Sequence, residues 1–312
     1  MTISNDPSAP LVVITGITGL QGGSVTRALA ESDKPYRIRG LTRDPSKPTA
    51  QAFAGQGVQI VGVSLAADNV AGVTKAFQGA DILFLVTNWN EHMDKQREIS
   101  EGKMMVDVAK EAGVKLLIWS GLESLSAVSG GKFPRVEFFD AKGDITEYAK
   151  QSGVPLALVE AGYYATNIFE APYALRKQPD GSYVFGLPVP ATTSVPVIDV
   201  AHDYGLYVRA AIEDPALGAG SELYSGILIS FGEMITTLSE VSGKKITYVQ
   251  MSREEAVAMP EYYGPMLADM FQAFEVHGYY GPKPTTRTDL LVRQPRSWAD
   301  FLEAAALEDL LP

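Results

Sequence analysis

The feature that most constrains this chain is an apolar strand that runs directly into a glycine-spaced turn and a helix. Residues 11–23 read Leu-Val-Val-Ile-Thr-Gly-Ile-Thr-Gly-Leu-Gln-Gly-Gly, and a helical pattern follows from Ser24. Glycines at Gly16, Gly19 and Gly22 let the backbone turn tightly and approach a pyrophosphate, which the N–H groups of the helix N-terminus then face. The segment therefore predicts a dinucleotide-binding turn, with a tight strand–helix turn that holds no ligand as the alternative.

The first half of the chain alternates short apolar runs with helical stretches. The runs are continuous in Val, Ile and Leu, which is typical of strands covered on both faces. They predict strands at Leu11–Thr15, Tyr36–Leu41, Val58–Val63, Ile82–Val86, Leu116–Ser120 and Leu156–Glu160. Helices are expected at Ser24–Glu31, Thr49–Ala54, Ala71–Phe77, Asp94–Ala112 and Arg135–Gln151. This order specifies an α/β protein with a doubly wound parallel-sheet Rossmann fold and right-handed crossovers.

The pattern loosens after the sixth strand, where six prolines between positions 172 and 215 divide the chain into short pieces. Helices are expected at Phe231–Ser242 and Tyr262–Val276, and a short strand at Thr247–Gln250. We therefore expect a cofactor-binding Rossmann domain over residues 8–162. Residues 163–312 are expected to form a smaller mixed α/β subdomain over the carboxyl ends of the strands, with a later strand free to return to the first sheet.

Composition excludes several classes of function. The chain has 312 residues and no cysteine, which removes disulfides, thiolate metal sites and cysteine nucleophiles. A formal net charge of −11 argues against direct nucleic-acid binding, which relies on clustered Lys and Arg. No metal is expected either, because His92, His202 and His277 lack the spacing of a metal site.

The apolar runs and the N-terminal residues give an expectation about location. The runs are too short to span a membrane, so no membrane contact is expected. Residues 1–10 are polar and do not resemble a secretory signal. We therefore expect a cytoplasmic protein, with the nucleus as an additional location.

The end of the second strand indicates which dinucleotide binds. NAD-binding folds place an acidic residue there for the ribose 2′-hydroxyl, whereas NADP-binding folds place a base. Arg43 occupies the discriminating position and Lys47 adds a second positive charge, although Asp44 stands beside them. A guanidinium matches a phosphate well, so the sequence favours NADP over NAD, with a solvated Arg43 as the alternative.

Five segments together resemble the NmrA-like family of atypical short-chain dehydrogenases: Thr15–Gly23, Thr42–Lys47, Val86–Asn88, Trp119–Glu123 and Phe139–Gly143. The resemblance runs from about residue 10 to 300 and implies NADP(H) binding by a Rossmann domain, with a small C-terminal substrate-type domain. By position it implies that the pyrophosphate is held by Gly16, Gly19, Gln21 and Gly22, and the 2′-phosphate by Arg43 and Lys47. It further implies that Thr87 and Asn88 line the ribose and nicotinamide side, that Lys142 reaches the nicotinamide ribose, and that Thr18 and Ser120 complete the cofactor site.

The catalytic pair of short-chain dehydrogenases is incomplete in this chain. These enzymes use Tyr-x-x-x-Lys on one helical turn, where the Lys lowers the pKa of the Tyr and the Tyr exchanges a proton with the carbonyl oxygen. Four residues before Lys142 stands Phe138, which has no transferable proton, so Lys142 alone is assigned as catalytic. Tyr163, Tyr164 and His92 are candidate substitute donors, each with packing or ordinary hydrogen bonding as the alternative.

Two other Tyr-x-x-x-Lys spacings occur in the second half of the chain. Tyr173–Lys177 has the required spacing in a segment compatible with a helix, but it follows the sixth strand rather than the fifth. Tyr279–Lys283 contains Gly and Pro and is not expected to be helical. Neither is assigned as the catalytic pair.

Two functions remain open. The one that the sequence favours is a redox-sensing regulator that binds NADP(H) and reports to a protein partner. It is favoured because Phe138 has no transferable proton and because an acidic chain is poorly suited to direct DNA contact. The other is an NADPH-dependent oxidoreductase that reduces a small carbonyl, imine or alkene substrate. Since both need the cofactor site, the sequence leaves open whether the protein is an enzyme, and also its oligomeric state.

Overall fold

The computed structural model describes residues 3–170, 173–259 and 263–312. The strands are β1 (Leu11–Ile14), β2 (Arg37–Thr42), β3 (Gln59–Gly62), β4 (Ile82–Leu85), β5 (Leu116–Trp119), β6 (Leu156–Glu160), β7 (Tyr163–Tyr164), β8 (Arg176–Lys177), β9 (Tyr183–Leu187), β10 (Ser194–Ile198), β11 (Glu222–Tyr224), β12 (Ile227–Ser230) and β13 (Ile246–Gln250). The helices are α1 (Leu20–Ala30), α2 (Pro48–Gly55), α3 (Val70–Phe77), α4 (Lys95–Glu111), α5 (Leu125–Val128), α6 (Glu137–Ser152), α7 (Asn167–Glu170), α8 (Val200–Glu213), α9 (Phe231–Ser242), α10 (Arg253–Val257), α11 (Tyr263–His277), α12 (Trp298–Ala304) and α13 (Leu307–Leu310). Short 3-10 turns lie at Trp89–Glu91 and Thr288–Leu290.

The larger sheet has the strand order β3-β2-β1-β4-β5-β6-β11, and every pairing in it is parallel. Apolar side chains of α3, α4 and α6 cover one face, and those of α1 and α8 cover the other. The strand order reverses between β1 and β4, so a crevice opens there at the carboxyl ends of the strands. The predicted doubly wound Rossmann fold is confirmed.

The smaller unit is built from two mixed three-stranded sheets, in the orders β12-β10-β7 and β13-β9-β8. Its core is rich in aromatic side chains and includes Phe185, Phe231, Phe271 and Trp298. This arrangement confirms the expected mixed α/β character of the second half. Strand β11 pairs at the edge of the larger sheet and helix α8 packs on its face, so a later part of the chain returns to the first sheet, as the sequence allowed. The domain boundary at residue 162 stays a prediction.

Several short strands and helices were not predicted from the sequence, and three other differences matter for the arguments about the fold and the site. Helix α1 begins at Leu20 rather than Ser24, because the glycines that follow the turn are already helical. The segment Tyr173–Lys177 is not a helix: its last two residues form β8, which pairs with β9. Helix α8 is missing from the prediction, since the prolines around it were taken to break the chain. The predicted start of the later helix at Tyr262 lies outside the described residues.

No helix among the residues that the structure describes is long and apolar enough to cross a membrane.

Helices α1 and α8 pack in close contact at Gly205. A Cβ there would lie 2.2 Å from the carbonyl oxygen of Ser24 and 2.8 Å from the Cβ of Ala28. We expect Gly205→Ala to force the helices apart and to lower the free energy of unfolding by about 1–3 kcal/mol, measured by urea denaturation. The matched control is Gly55→Ala at the end of α2, where a Cβ would meet nothing within 4 Å. Equal losses in the two variants would contradict the packing argument.

Candidate functional site

A cleft of about 770 Å³ lies at the carboxyl ends of the parallel strands. Its lining has three chemically distinct parts. The glycine turn is formed by Gly16, Thr18, Gly19, Gln21 and Gly22, and the charged mouth by Arg43, Asp44, Lys47, Glu91, Arg97 and Glu101. The apolar chamber is formed by Trp89, Leu122, Phe138, Tyr263, Met266 and Tyr279. Thr87, Asn88, Ser120, Lys142 and Tyr164 also line the cleft, so every residue predicted for the cofactor site contributes to one surface.

The glycine turn brings the backbone of the first turn of α1 into contact with the backbone that follows β1. Gly16 has a φ of +61°, which favours glycine, and a Cβ on Gly22 would lie 2.4 Å from the carbonyl oxygen of Gly16. Helix α1 starts directly after Gly19, with no side-chain cap and no acidic residue in its first turn. The first N–H groups of a helix have no partner within it, so this uncapped end can accept an anion.

The side chain of Gln21 is engaged inside the protein. Its Nε2 donates to the hydroxyl of Tyr164 at 2.7 Å, and its Oε1 accepts from the hydroxyl of Ser120 at 2.7 Å. The amide thus joins residues that follow β5 and β6 to the first turn of α1. If Gln21 contacts a pyrophosphate, it does so through its backbone, because its side chain is already hydrogen-bonded. The sequence did not reveal these side-chain contacts.

The charged mouth holds the two bases that favour NADP. The guanidinium of Arg43 lies 2.6 Å from the carboxylate of Glu91, and both side chains are exposed. Lys47 is exposed at the start of α2. Asp44 accepts hydrogen bonds from the hydroxyl and N–H of Ser46, and these lower the pKa of the carboxyl. The carboxylate of Asp44, which could have favoured NAD, is therefore hydrogen-bonded within its own turn.

Lys142 is buried as part of a three-residue cluster. It forms an ion pair with Glu98 of α4, and the hydroxyl of Thr87 donates to the same carboxylate oxygen. Glu98 is 0% exposed and Lys142 is 9% exposed. Breaking such a buried pair would leave an uncompensated charge. Glu98 was missed by the sequence analysis, because nothing local separates it from the solvated acids of α4.

Phe138 lines the cleft beside Trp89, with the ring centroids 6.1 Å apart. It therefore contributes to the wall of the apolar chamber. Tyr279 belongs to the same wall and was missed as a cleft residue, although its spacing to Lys283 drew attention to it. Its hydroxyl donates to the carbonyl oxygen of Ala161 at 3.3 Å, and burial raises its pKa well above the usual value.

The three candidate substitute donors differ in position. Tyr164 lines the cleft, whereas Tyr163 packs in the core against Phe231, with 5.8 Å between the ring centroids. The Nδ1 of His92 accepts from the N–H of Asp94 at 3.1 Å, and its ring is not part of the cleft lining in the described structure. Tyr164 is therefore the candidate that the structure brings to the site.

The other Tyr-x-x-x-Lys spacings form no catalytic pair. Tyr173 packs against Phe271, with 5.0 Å between the ring centroids. Lys177 is exposed in β8. Lys283 forms an ion pair with Glu123, and the hydroxyl of Tyr279 donates to the carbonyl oxygen of Ala161 instead of contacting this lysine.

Asp199, His202 and Asp203 offer ligand atoms close enough together to hold a metal. Two cations occupy their carboxylates instead: Arg293 donates to Asp203 at 2.7 Å, and Arg296 donates to Asp199 at 2.8 Å. The cluster ties the C-terminal segment to the start of α8. That no metal binds stays a prediction.

The fold and the cleft define a Rossmann-type protein with an uncapped glycine turn at its switch point. The model of the NmrA-like family matches residues 8–304, and the chain belongs to this family. It is 30% identical over 262 residues to the NmrA-like family domain-containing oxidoreductase malD of Malbranchea aurantiaca, covering 79% of this chain and 77% of that protein. It is 28% identical over 274 residues to the nitrogen metabolite repression protein nmr of Neurospora crassa, covering 84% of this chain and 50% of that protein.

Two solved structures share the fold. The negative transcriptional regulator NmrA in complex with NADP has a TM-score of 0.79 at 23% identity, over 97% of both chains. The NADPH-dependent quinone oxidoreductase of Escherichia coli, complexed with NADPH, has a TM-score of 0.75 at 22% identity, over 94% of this chain and 98% of that chain. The likeness extends over nearly the whole chain and includes the smaller unit.

A buried carboxyl lies directly before the cleft residues Ala161 and Gly162. Glu160 is 1% exposed, and neither of its carboxyl oxygens has a hydrogen-bond partner among the described residues. Burial, and then the neighbouring charge of Glu123, raise the pKa of Glu160 to about 8. The folded protein thus keeps a proton that an unfolded chain loses at lower pH.

This shift predicts a pH-dependent stability. Between the ordinary pKa of 4.5 and the folded value of about 8, unfolding releases a proton, so the free energy of unfolding falls as pH rises. We expect Glu160→Gln to remove this fall and to raise the melting temperature most at and above pH 8. Thermal unfolding at several pH values from 5 to 9 measures the effect.

Glu222→Gln is the control, because the pKa of Glu222 is shifted in the opposite direction from that of Glu160. Hydrogen bonds from Tyr224 and Lys150 outweigh burial and lower the pKa of Glu222 to about 2. Its titration lies below the tested range, so this variant should lower the melting temperature at every pH from 5 to 9. The loss should be smaller at high pH, because the charge of Glu222 also contributes to the raised pKa of Glu160. A wild-type-like fall with pH in Glu160→Gln would show that Glu160 does not titrate as argued.

Proposed function

We propose that the cleft binds NADP(H). The observation that carries this proposal is the uncapped start of α1 at a glycine turn, together with Arg43 and Lys47 at the adjoining charged mouth. The turn suits a pyrophosphate, and the two bases suit a 2′-phosphate. The solved complexes of NmrA with NADP and of the quinone oxidoreductase with NADPH support the assignment.

The cleft residues would divide the cofactor between them. Backbone groups of Gly16, Thr18, Gly19, Gln21 and Gly22 would face the pyrophosphate, and Arg43 and Lys47 the 2′-phosphate. Thr87, Asn88, Ser120 and Lys142 would line the ribose and nicotinamide. Because Glu98 already balances the charge of Lys142, this lysine would act mainly as a hydrogen-bond donor rather than as an uncompensated cation.

The apolar chamber favours an oxidoreductase. It adjoins the residues proposed for the nicotinamide end, and its six lining residues carry no charge. Such a surface suits an uncharged, largely apolar substrate held beside a hydride donor. Relatives that bear the name oxidoreductase, such as malD, agree with this. We infer an NADPH-dependent oxidoreductase that reduces a small, uncharged carbonyl, imine or alkene compound.

A redox-sensing regulator is the second candidate. It is favoured by Phe138, which stands where a short-chain dehydrogenase has its tyrosine, and by relatives named nitrogen metabolite repression proteins. In that case the chamber would bind no substrate, and the cofactor-bound state would be communicated to a protein partner. Both candidates share the cofactor site and differ in turnover.

The first prediction here tests the charged mouth. We expect Arg43→Ala to weaken NADP binding about tenfold and NAD binding much less, because a charge-assisted contact to the 2′-phosphate is lost at an exposed site. Calorimetric titration with both dinucleotides measures the difference.

Glu91→Gln should change NADP affinity in the opposite direction from Arg43→Ala. Glu91 holds the guanidinium of Arg43 and would repel the incoming phosphate, so its neutralisation should tighten NADP binding and leave NAD binding unchanged. Equal effects of these two variants on NAD and NADP would show that Arg43 does not contact the 2′-phosphate.

A second prediction tests the chamber. Oxidation of NADPH, followed by absorbance, is measured with a panel of aromatic aldehydes, quinones and imines. We expect turnover, and we expect Met266→Glu to lower kcat/KM by at least about tenfold, because a charge in the half-buried wall of the chamber opposes an apolar substrate. Val276→Glu places the same charge on α11 at an exposed position and should behave like the wild type.

The affinity for NADPH should stay unchanged in both variants. An unchanged kcat/KM in Met266→Glu would place substrate outside the chamber. No turnover of any compound by the wild type, with tight NADPH binding, would favour the regulator.

A further inference from the structure

We propose that Tyr164 is the proton donor of this cleft, and that Gln21 and Ser120 position its hydroxyl. The inference rests on the proposed reductase activity and assigns to a residue after β6 the role that the usual tyrosine has on α6. It is drawn from a chain of hydrogen bonds that does not include Lys142 or Phe138.

The direction of the hydrogen bonds leaves the proton of Tyr164 available. The Nε2 of Gln21 donates to the Tyr164 oxygen at 2.7 Å, so this oxygen acts as an acceptor. The hydroxyl of Ser120 donates to the Oε1 at the other end of the same amide, at 2.7 Å. Among the described residues, no acceptor takes the O–H of Tyr164, and its side chain lines the cleft.

The environment of Tyr164 keeps its phenol protonated. Burial raises the pKa of its phenol, and the hydrogen bond from Gln21 partly opposes this. The group is therefore protonated at neutral pH and can give a proton to a developing alkoxide. The amide N–H of Gln21 then stabilises the tyrosinate oxygen that remains, since a hydrogen bond to a charged acceptor is stronger than one to a neutral acceptor.

The adjacent tyrosine shows why position matters. Tyr163 precedes Tyr164 in β7, so its side chain points to the other face of the strand. It packs against Phe231 in the core of the smaller unit, outside the cleft lining. The chain thus offers two neighbouring phenols, of which one faces the cleft and the other provides a matched control.

The proposed step balances for an aromatic aldehyde or ketone. NADPH, when bound, supplies a hydride to the carbonyl carbon. The π bond of the carbonyl group breaks, and its electron pair forms an O–H bond with the proton of Tyr164. The carbonyl compound is reduced to an alcohol, NADPH is oxidised to NADP+, and the tyrosinate regains a proton from water in the cleft.

The first experiment compares Tyr164→Phe with Tyr163→Phe. Turnover is measured by NADPH oxidation with a panel of substituted benzaldehydes and acetophenones. We expect Tyr164→Phe to lower kcat about a hundredfold, as the loss of a general acid does, while NADPH affinity stays unchanged. Tyr163→Phe should keep kcat near the wild-type value.

A second readout does not depend on turnover. In the complex with NADP+ no hydride is available, so acetophenone binds without reacting. Its binding is followed by tryptophan fluorescence, to which Trp89 in the wall of the chamber contributes. We expect Tyr164→Phe to weaken this binding about fivefold, because one hydrogen bond to the carbonyl oxygen is lost. Tyr163→Phe should bind acetophenone like the wild type.

A double-mutant cycle tests the positioning residues. If Gln21 acts through Tyr164, Gln21→Leu should lower kcat roughly tenfold in the wild type and have no effect in the Tyr164→Phe background. A purely structural role for Gln21 would reduce kcat in both backgrounds. Ser120→Ala should follow the same pattern with a smaller loss.

The outcomes separate the two proposals. If the wild type turns over aromatic carbonyls and Tyr164→Phe does so equally well, this inference is overturned and the reductase stands. If the wild type turns over none of these aromatic carbonyls, this inference is overturned, and the quinones and imines of the wider panel decide separately whether the protein is a reductase. Equal losses in Tyr164→Phe and Tyr163→Phe would also overturn the inference, because the effect would then come from packing.

Discussion

The contact between the start of α1 and the turn after β1 is the constraint on which the site depends. At Gly22 a Cβ would lie 2.4 Å from the carbonyl oxygen of Gly16, so the two backbones meet without side chains between them. This contact fixes α1 relative to β1 and aims its uncapped end at the switch point of the sheet. A second close contact, at Gly205, then fixes α8 on α1. Through β11 and α8 the chain downstream of β6 is held to the larger sheet.

Gln21 shows how one helical turn can serve two purposes. Its backbone belongs to the first turn of α1, which the glycines hold at the crevice. Its side chain reaches Ser120 and Tyr164, each at 2.7 Å, and so couples the glycine turn to the ends of two other strands. A ligand that displaces the first turn of α1 would therefore also move the hydroxyl of Tyr164. This coupling is compatible with either a reductase or a regulator.

Local patterns were sufficient to predict the sheet and the glycine turn, because each strand is a short apolar run and each glycine acts on its own backbone. They were insufficient for α8, where prolines at 196 and 215 lie outside the helix instead of breaking it. The proposed proton donor rests on contacts between residues far apart in the chain. Gln21 and Tyr164 are separated by 143 positions, and Glu98 and Lys142 by 44. No spacing rule within one helix or strand reports such pairs.

The pair of Lys142 and Glu98 bears on where a proton donor can lie. In the Tyr-x-x-x-Lys arrangement the lysine lowers the pKa of the tyrosine through its positive charge. Here Glu98 is buried against Lys142 and balances that charge, and Thr87 binds the same carboxylate oxygen. A hydroxyl at position 138 would therefore lie near a cation whose field is largely cancelled. An acid in this cleft needs a hydrogen-bond donor of its own to stabilise the anion it leaves, and the amide of Gln21 supplies one to Tyr164.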